Sequence, residues 1–313
     1  MELREIKIFA PATIANISCG FDVMGCCLDS IGDTMILRKT SEKGLRISKI
    51  AGEELPMEPE KNVASVAIMA MLKACQFQPE FGIDIEIHKN KKPGSGIGSS
   101  AASAAGAVFA ANELMGKPFS NHELIPFAAE GERAACGSPI ADNVAPALLG
   151  GFTLVKETDP IKIIELPSIK GLYATIIHPQ IEIKTSLSRG ILPQTVSLKN
   201  AVKQWANVGS LVHALHTNDH HLFADSLKDY IVEPHRSKLI PKFDEVIKSA
   251  INAGALGGGI SGSGPSIFTF SKNIETAENV SLAINKIYKN TAIPYHVYTS
   301  KINESGVKIL KRS

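Results

Sequence analysis

No CxxC pair occurs among the five cysteines, Cys19, Cys26, Cys27, Cys75 and Cys136. An odd number without metal-ligand spacing argues against both a disulfide framework and a zinc site, and points to a reducing cytoplasm. An excess of one charge is also missing: 33 basic residues face 31 acidic ones, a net charge of +2, and only 20% of residues are charged. That balance leaves nothing to suggest a general binder of nucleic acid or of membrane surfaces, and makes a small molecule the expected partner. Pro93 to Asn112 and Ile251 to Ser271 are uncharged over membrane length, but they are rich in Gly and Ser rather than Leu and Ile, so they read as loops with adjoining elements. The opening MELREIKIFA mixes both charges and has no long apolar region, which argues against a signal peptide.

With 313 residues the chain is long enough for two domains. REIKIFA, MILRK, LRISKI and GIDIEIH read as strands, and Asn62 to Lys73 has helical spacing. NHELIPFAAEGERAAC is expected to be helical, with Pro126 marking a kink or a late start, and FTLVK closes a strand-rich first half. Past residue 165 the order becomes a strand (LYATIIH), helical patterns over Leu198 to His216 and Phe243 to Asn252, a strand (SIFTF), a helix and a final strand, YHVYTSKI. The whole is an α+β pattern without regular βαβα alternation, divided into residues 1–165 and 166–313.

Three short stretches carry the chemistry. PGSGIGSSAASAA, Pro93 to Ala105, sets three glycines and four serines before an Ala-rich run with Val108, Ala111, Leu114 and Met115 at helical spacing. A glycine loop running into a helix start suits a phosphate, because the first N–H groups of a helix lack partners and carry a partial positive charge. The stretch has no Gly-Lys-Ser/Thr ending and departs from GxGxxG, so it is neither a Walker loop nor a dinucleotide fingerprint. The others are PATIANISCGFDVMG, Pro11 to Gly25, and GGGISGSGPS, Gly257 to Ser266, the latter read as a turn between a helix and SIFTF with a flexible hairpin as the alternative.

Together, and in this order, these stretches resemble the small-molecule kinase superfamily named after galactokinase, homoserine kinase, mevalonate kinase and phosphomevalonate kinase (GHMP). ANISCGFD, ADNVAPALLGGF, TSLSRGILP and VEPHRSKLIP resemble signature segments of the homoserine kinase family within it. The resemblance implies an N-terminal domain like domain 2 of ribosomal protein S5, a C-terminal ferredoxin-like domain, and a site between them. It implies ATP-dependent phosphorylation of the L-homoserine side-chain hydroxyl in threonine biosynthesis, ATP and Mg²⁺ as cofactors, a homodimer and a cytoplasmic location.

On that resemblance Asn16, Asp22, Asp142, Arg189, Arg236 and Gly262 bind the substrate. Two arginines supply forked donors for a carboxylate, and the acids answer an ammonium. Pro93, Gly94, Ser95, Gly96, Ile97, Gly98, Ser99, Ser100 and Ala101 hold phosphates, with Asn62, Lys89 and Thr185 near the nucleotide. Ser100 and Glu132 are the magnesium ligands, since hard cations take oxygen. Asn143 orients the alcohol, and Asp22 is the competing candidate for a base. The chain departs from the family at Ile140, where histidine is usual. His213, His216, His220 and His221 read as a solvated helix end rather than a metal site, and HKNKK is too short a basic run to indicate nucleic acid. Two rival readings stand beside this one: a superfamily kinase acting on mevalonate, shikimate or a sugar, and a non-catalytic sensor that keeps the fold.

Overall fold

The computed structural model describes residues 3–75, 79–90, 94–137 and 140–313, without the side chains of Ala135, Cys136 and Thr185. The chain opens on Glu5–Ala15 (β1), which turns through residues 16–23 and pairs antiparallel with the long strand Met24–Thr40 (β2). Leu45–Ala51 (β3), Val63–Ala74 (α1) and Gly82–His88 (β4) follow, and β4 pairs antiparallel with β2 but parallel with β3. Parallel neighbours need a crossover, and α1 supplies it. Helices Ser99–Leu114 (α2), Asn121–Cys136 (α3) and Ala141–Leu149 (α4) share one apolar core with this sheet. Phe152–Thr158 (β5) pairs with β2 and with Ile161–Leu166 (β6).

Local chemistry sets these boundaries. Asn62 caps α1, its side chain accepting from the Ala64 N–H at 3.0 Å. Ser120 and Glu123 form a reciprocal capping box at the start of α3, so this helix begins five residues before Pro126 and carries the proline inside it. A late start at Pro126 is thereby corrected. Helix α2 is almost wholly buried, which its run of alanines permits, since only small side chains let a helix lie this close to a sheet.

After residue 166 the chain leaves this sheet and builds a second one from Tyr173–Pro179 (β7), Gly257–Ile260 (β8), Ile267–Ser271 (β9) and Tyr295–Lys301 (β10). Its order is β10-β7-β9-β8, antiparallel throughout, the ferredoxin-like arrangement. Between β7 and β8 run Thr185–Gly190 (α5), Leu198–Thr217 (α6), His220–Ser226 (α7), Glu233–Arg236 (α8) and Phe243–Asn252 (α9), and Ile274–Lys289 (α10) links β9 to β10. The GGGI segment is itself a strand, so the third glycine motif is a β8–β9 hairpin and not a turn leaving a helix. The last strand, Lys308–Arg312 (β11), returns to pair with β1 in the first sheet. No helix among the described residues is long and apolar enough to cross a membrane.

One buried ion pair ties the start of α2 to the sheet. Lys89 donates from Nζ to Asp33 Oδ2 at 2.5 Å, to the Ser99 carbonyl at 2.8 Å and to Ser103 Oγ at 3.1 Å, and both ionic side chains are 1% exposed. The second Asp33 oxygen accepts the Asn90 N–H at 2.7 Å. Removing one partner of such a pair leaves a buried charge uncompensated, whereas neutralising both does not. Lys89→Met is therefore expected to lower the unfolding free energy by ~3–5 kcal/mol in urea titrations, with much of the loss recovered when Asp33→Asn is added.

Candidate functional site

The three glycine- and serine-rich stretches meet at one place. In the loop 94–98, Gly96 has φ +79°, and a Cβ there would lie 2.6 Å from the Ser261 carbonyl and 2.8 Å from that of Gly264. Gly98 has φ +62° and caps α2; its Cβ would lie 2.1 Å from Thr13 Oγ1 and 2.8 Å from Asn143 Oδ1. Neither position accepts a side chain. Serine hydroxyls of the β8–β9 hairpin stitch the loops together, Ser261 Oγ donating to the Gly96 carbonyl at 2.7 Å and Ser266 Oγ to that of Ser95 at 2.5 Å. Strand β1 holds the other side through Thr13 N–H to the Ile97 carbonyl at 3.2 Å.

The first stretch is a tight turn in which Asn16, Ile17, Ser18 and Asp22 all have positive φ, between 41° and 74°. Each non-glycine residue in this region is strained by about 1 kcal/mol or more, so the surroundings must hold it. Asn16 does much of that work. Its Oδ1 accepts the Asp22 N–H at 3.1 Å, and its Nδ2 donates to the Gly262 carbonyl at 2.8 Å. Ser18 Oγ donates to the Gly258 carbonyl at 3.0 Å.

A cavity of roughly 280 Å³ opens where these loops converge. At one end lie Gly94, Ser95, Gly96, Gly98, Ser99 and Ser100, and Ser95 Oγ is buried there without a hydrogen-bond partner among the described residues. Helix α2 begins at this end with no side-chain cap among the described residues, and the first N–H groups of a helix have no intrahelical acceptors and carry a partial positive charge. Glu132 of α3 faces the same end and takes a hydrogen bond from Ser100. Burial pushes its carboxyl up to about 7, against the opposing pull of the Ser100 hydroxyl and the Lys89 charge.

The other end is lined by Asn16, Asp22, Asp142, Asn143, Arg189 and Arg236. Arg189 on α5 grips Asp22 with both terminal nitrogens, at 2.9 and 3.0 Å. Arg236 on α8 is 3% exposed, with Nε on the Ser188 carbonyl and Nη1 on the Gly262 carbonyl, each at 3.0 Å. Burial lowers its guanidinium to about 10. Asp142 is buried at the start of α4, and its carboxyl rises to about 8, first through desolvation and then through the charges of Asp22 and Glu132. Asn143 has its amide oriented by neighbours: Oδ1 accepts from Thr13 Oγ1 at 2.7 Å, and Nδ2 donates to Asp142 Oδ1 at 3.3 Å.

Several residues named from the sequence stand elsewhere. Ile97 is buried in the core beneath the loop and Ala101 in the core under α2. Asn62 is spent on capping α1 and on the Pro56 carbonyl, and the Lys89 ammonium is turned into the protein. Pro93 and the Thr185 side chain lie outside the described residues. His213, His216 and His221 are exposed along α6 and α7, and no group of three potential metal ligands occurs among the described residues. Thr13, Ser261 and Ser266 escaped sequence reasoning: a buried hydroxyl that orients a neighbour has no spacing signature. Ile140 lines the cavity, half-buried. A larger groove of about 550 Å³ lies between α9 and α10, away from every one of these groups.

The chain is similar to known proteins over nearly its whole length. Residues 62–151 match the model of the GHMP kinases N-terminal domain, and residues 211–290 that of the GHMP kinases C-terminal domain. Homoserine kinase of Chlorobium phaeobacteroides strain BS1 is 43% identical, covering 98% of this chain and all of that protein. Homoserine kinase of Methanococcus maripaludis strain C5 is 40% identical over 86% of this chain and 89% of its own length. The crystal structure of homoserine kinase from Cytophaga hutchinsonii superposes with a TM-score of 0.94 at 49% identity, over 98% of this chain and 97% of that one. Leishmania major mevalonate kinase in complex with R-mevalonate, 16% identical with a TM-score of 0.68 over 96% and 95%, shares the fold. With both family models matched in order and relatives matched over nearly the full length, the chain belongs to the GHMP kinase family, among its homoserine kinases.

Proposed function

We infer that the protein transfers the γ-phosphoryl group of ATP to the side-chain hydroxyl of L-homoserine. The observation that carries this reading is the cavity's two-ended chemistry: a helix-start phosphate cradle at one end, and two guanidiniums with two carboxyls at the other. The second end matches a zwitterion, with Arg189 and Arg236 for its carboxylate and Asp22 and Asp142 for its ammonium. Asn143 stands between the ends, where an amide held by Thr13 and Asp142 can orient an alcohol.

The residues at the phosphate end fit a magnesium ion: Glu132 and Ser100 bring a carboxylate and a hydroxyl into contact there, and a dication would offset the desolvation that raises the Glu132 carboxyl. Bound there, Mg²⁺ supplies charge neutralisation for the transferring phosphoryl group. Proton removal needs no side-chain base, because a loose phosphoryl-transfer transition state leaves the hydroxyl proton in place until late and a phosphate oxygen can take it. Asp22 is poorly suited to that task, since its oxygens accept from Arg189 and, with substrate bound, are claimed by the ammonium. Assembly as a homodimer and a cytoplasmic location complete the reading.

A phosphate-transfer assay over L-homoserine, mevalonate, shikimate and galactose tests it directly: homoserine is expected to be turned over far faster, and equal rates on any other alcohol, or no turnover at all, would overturn it. Glu132→Gln is expected to lower kcat sharply and raise the magnesium requirement while the far-ultraviolet spectrum stays native. A wild-type magnesium profile in that variant would remove Glu132 from the metal site. Burial, with the charges of Asp22 and Glu132, holds the Asp142 carboxyl up at about 8, and pairing with an ammonium requires its ionised form. Homoserine affinity should therefore rise by up to about tenfold per pH unit between pH 6 and 8 and then level off. Calorimetry at pH 7 in buffers of different ionisation enthalpy should show close to one proton released per homoserine bound, a release that Asp142→Asn abolishes.

A further inference from the structure

Resting on the reading just given, we propose that Phe21 is a positioning residue that holds Arg189 and Arg236 together at the geometry which receives the substrate carboxylate. The Arg236 guanidinium carbon lies 4.9 Å from the centre of the Phe21 ring, and that of Arg189 lies 5.8 Å from it. Both are within the range in which the negative face of an aromatic ring attracts a cation. Two guanidiniums converging on one small cavity repel each other, and the Phe21 ring is one feature in contact with both.

The contacts around Phe21 form a closed circuit. Asn16 holds the Asp22 N–H, and Asp22 holds Arg189 by both oxygens. Arg189 and Arg236 meet at the ring, and Arg236 shares the Gly262 carbonyl with Asn16. Phe21 and Asp22 are thus consecutive residues of a strained turn that present a π face and a carboxylate to the same pair of cations. Their roles part when substrate arrives. The ammonium of a zwitterion competes with Arg189 for the full charge of Asp22, a stronger attraction than the quadrupole of a ring that two guanidiniums already cover. The ring therefore keeps its hold on both guanidiniums as the charges rearrange.

The test compares Phe21→Leu, which keeps apolar bulk without a π face, with Phe21→Tyr, which keeps the ring. Each is measured for homoserine Kd by calorimetry, for KM of homoserine and of ATP, and for melting temperature, with L-homoserine amide as the carboxylate-free control. Phe21→Leu is expected to raise the Kd and KM for L-homoserine about tenfold or more, the sum of two cation–π contacts in a partly desolvated site. The ATP KM should stay at the wild-type value, the preference for homoserine over its amide should shrink, and Phe21→Tyr should behave as wild type. Unchanged homoserine binding in Phe21→Leu, equal losses in the Leu and Tyr variants, or a parallel rise in the ATP KM would overturn the proposal. Wild-type protein that binds the amide as well as homoserine would overturn the zwitterion reading itself, and is told apart because it needs no variant.

Discussion

The structure depends on two backbone segments packed face to face, the loop 94–98 and the β8–β9 hairpin. Hydroxyls of Ser261 and Ser266 bond carbonyls of Gly96 and Ser95, and there is no room for a Cβ at Gly96 between them. This contact joins the first sheet to the second at the point where a ligand would sit. Because each partner is backbone or serine, the contact adds no charge of its own. The charged side chains of the cavity take no part in it.

That charge is densely arranged. Asp22, Asp142, Glu132, Arg189 and Arg236 line one cavity, and burial opposes ionisation at three of them, raising Asp142 and Glu132 and lowering Arg236. A site of this kind favours a ligand of complementary charge, which offsets the desolvation of its groups more fully than their neutral hydrogen-bond partners can. The Asp22–Arg189 bridge pairs two of these charges, with both side chains more than a third exposed. Such exposure keeps the pair weak in water, so it can give way to a better-matched zwitterion.

Much of this was legible in the sequence, because glycine restrictions and helix starts leave marks in spacing. The loop before α2 and most strands of both sheets follow from residue pattern alone, and the grouping of Asp22, Asp142, Arg189 and Arg236 from resemblance. What escaped has physical reasons. KILKR, at β11, is short, charged and half exposed, as an edge strand can be, so it carries no apolar alternation. GGGI is a strand although glycine disfavours strands, because close approach of Phe268, Thr269, Ser18 and Glu233 leaves no space for side chains. Lys89 lies next to the phosphate loop in sequence, but Asp33, 56 positions away, turns its ammonium inward. A partner that distant is invisible to local pattern.

The inward turn of Lys89 bears on how the two ends of the cavity differ. The phosphate end is anchored: the buried Lys89 ammonium ties the first turn of α2 to β2 and the end of β4, and the hairpin closes the loop from the opposite side. Backbone donors at that end are fixed in position beforehand, so on the reading proposed above they would meet phosphates at no cost of reorganisation as charge shifts during transfer. The amino-acid end is carried instead on two short helices, α5 and α8, and on a turn with four positive-φ side-chain-bearing residues. Its groups are held by one another, through Asn16, Gly262 and Phe21, more than by the core. Rigidity where the donor phosphates lie and mutual support where the acceptor lies is the division that a transferase with one common donor and one selected acceptor requires.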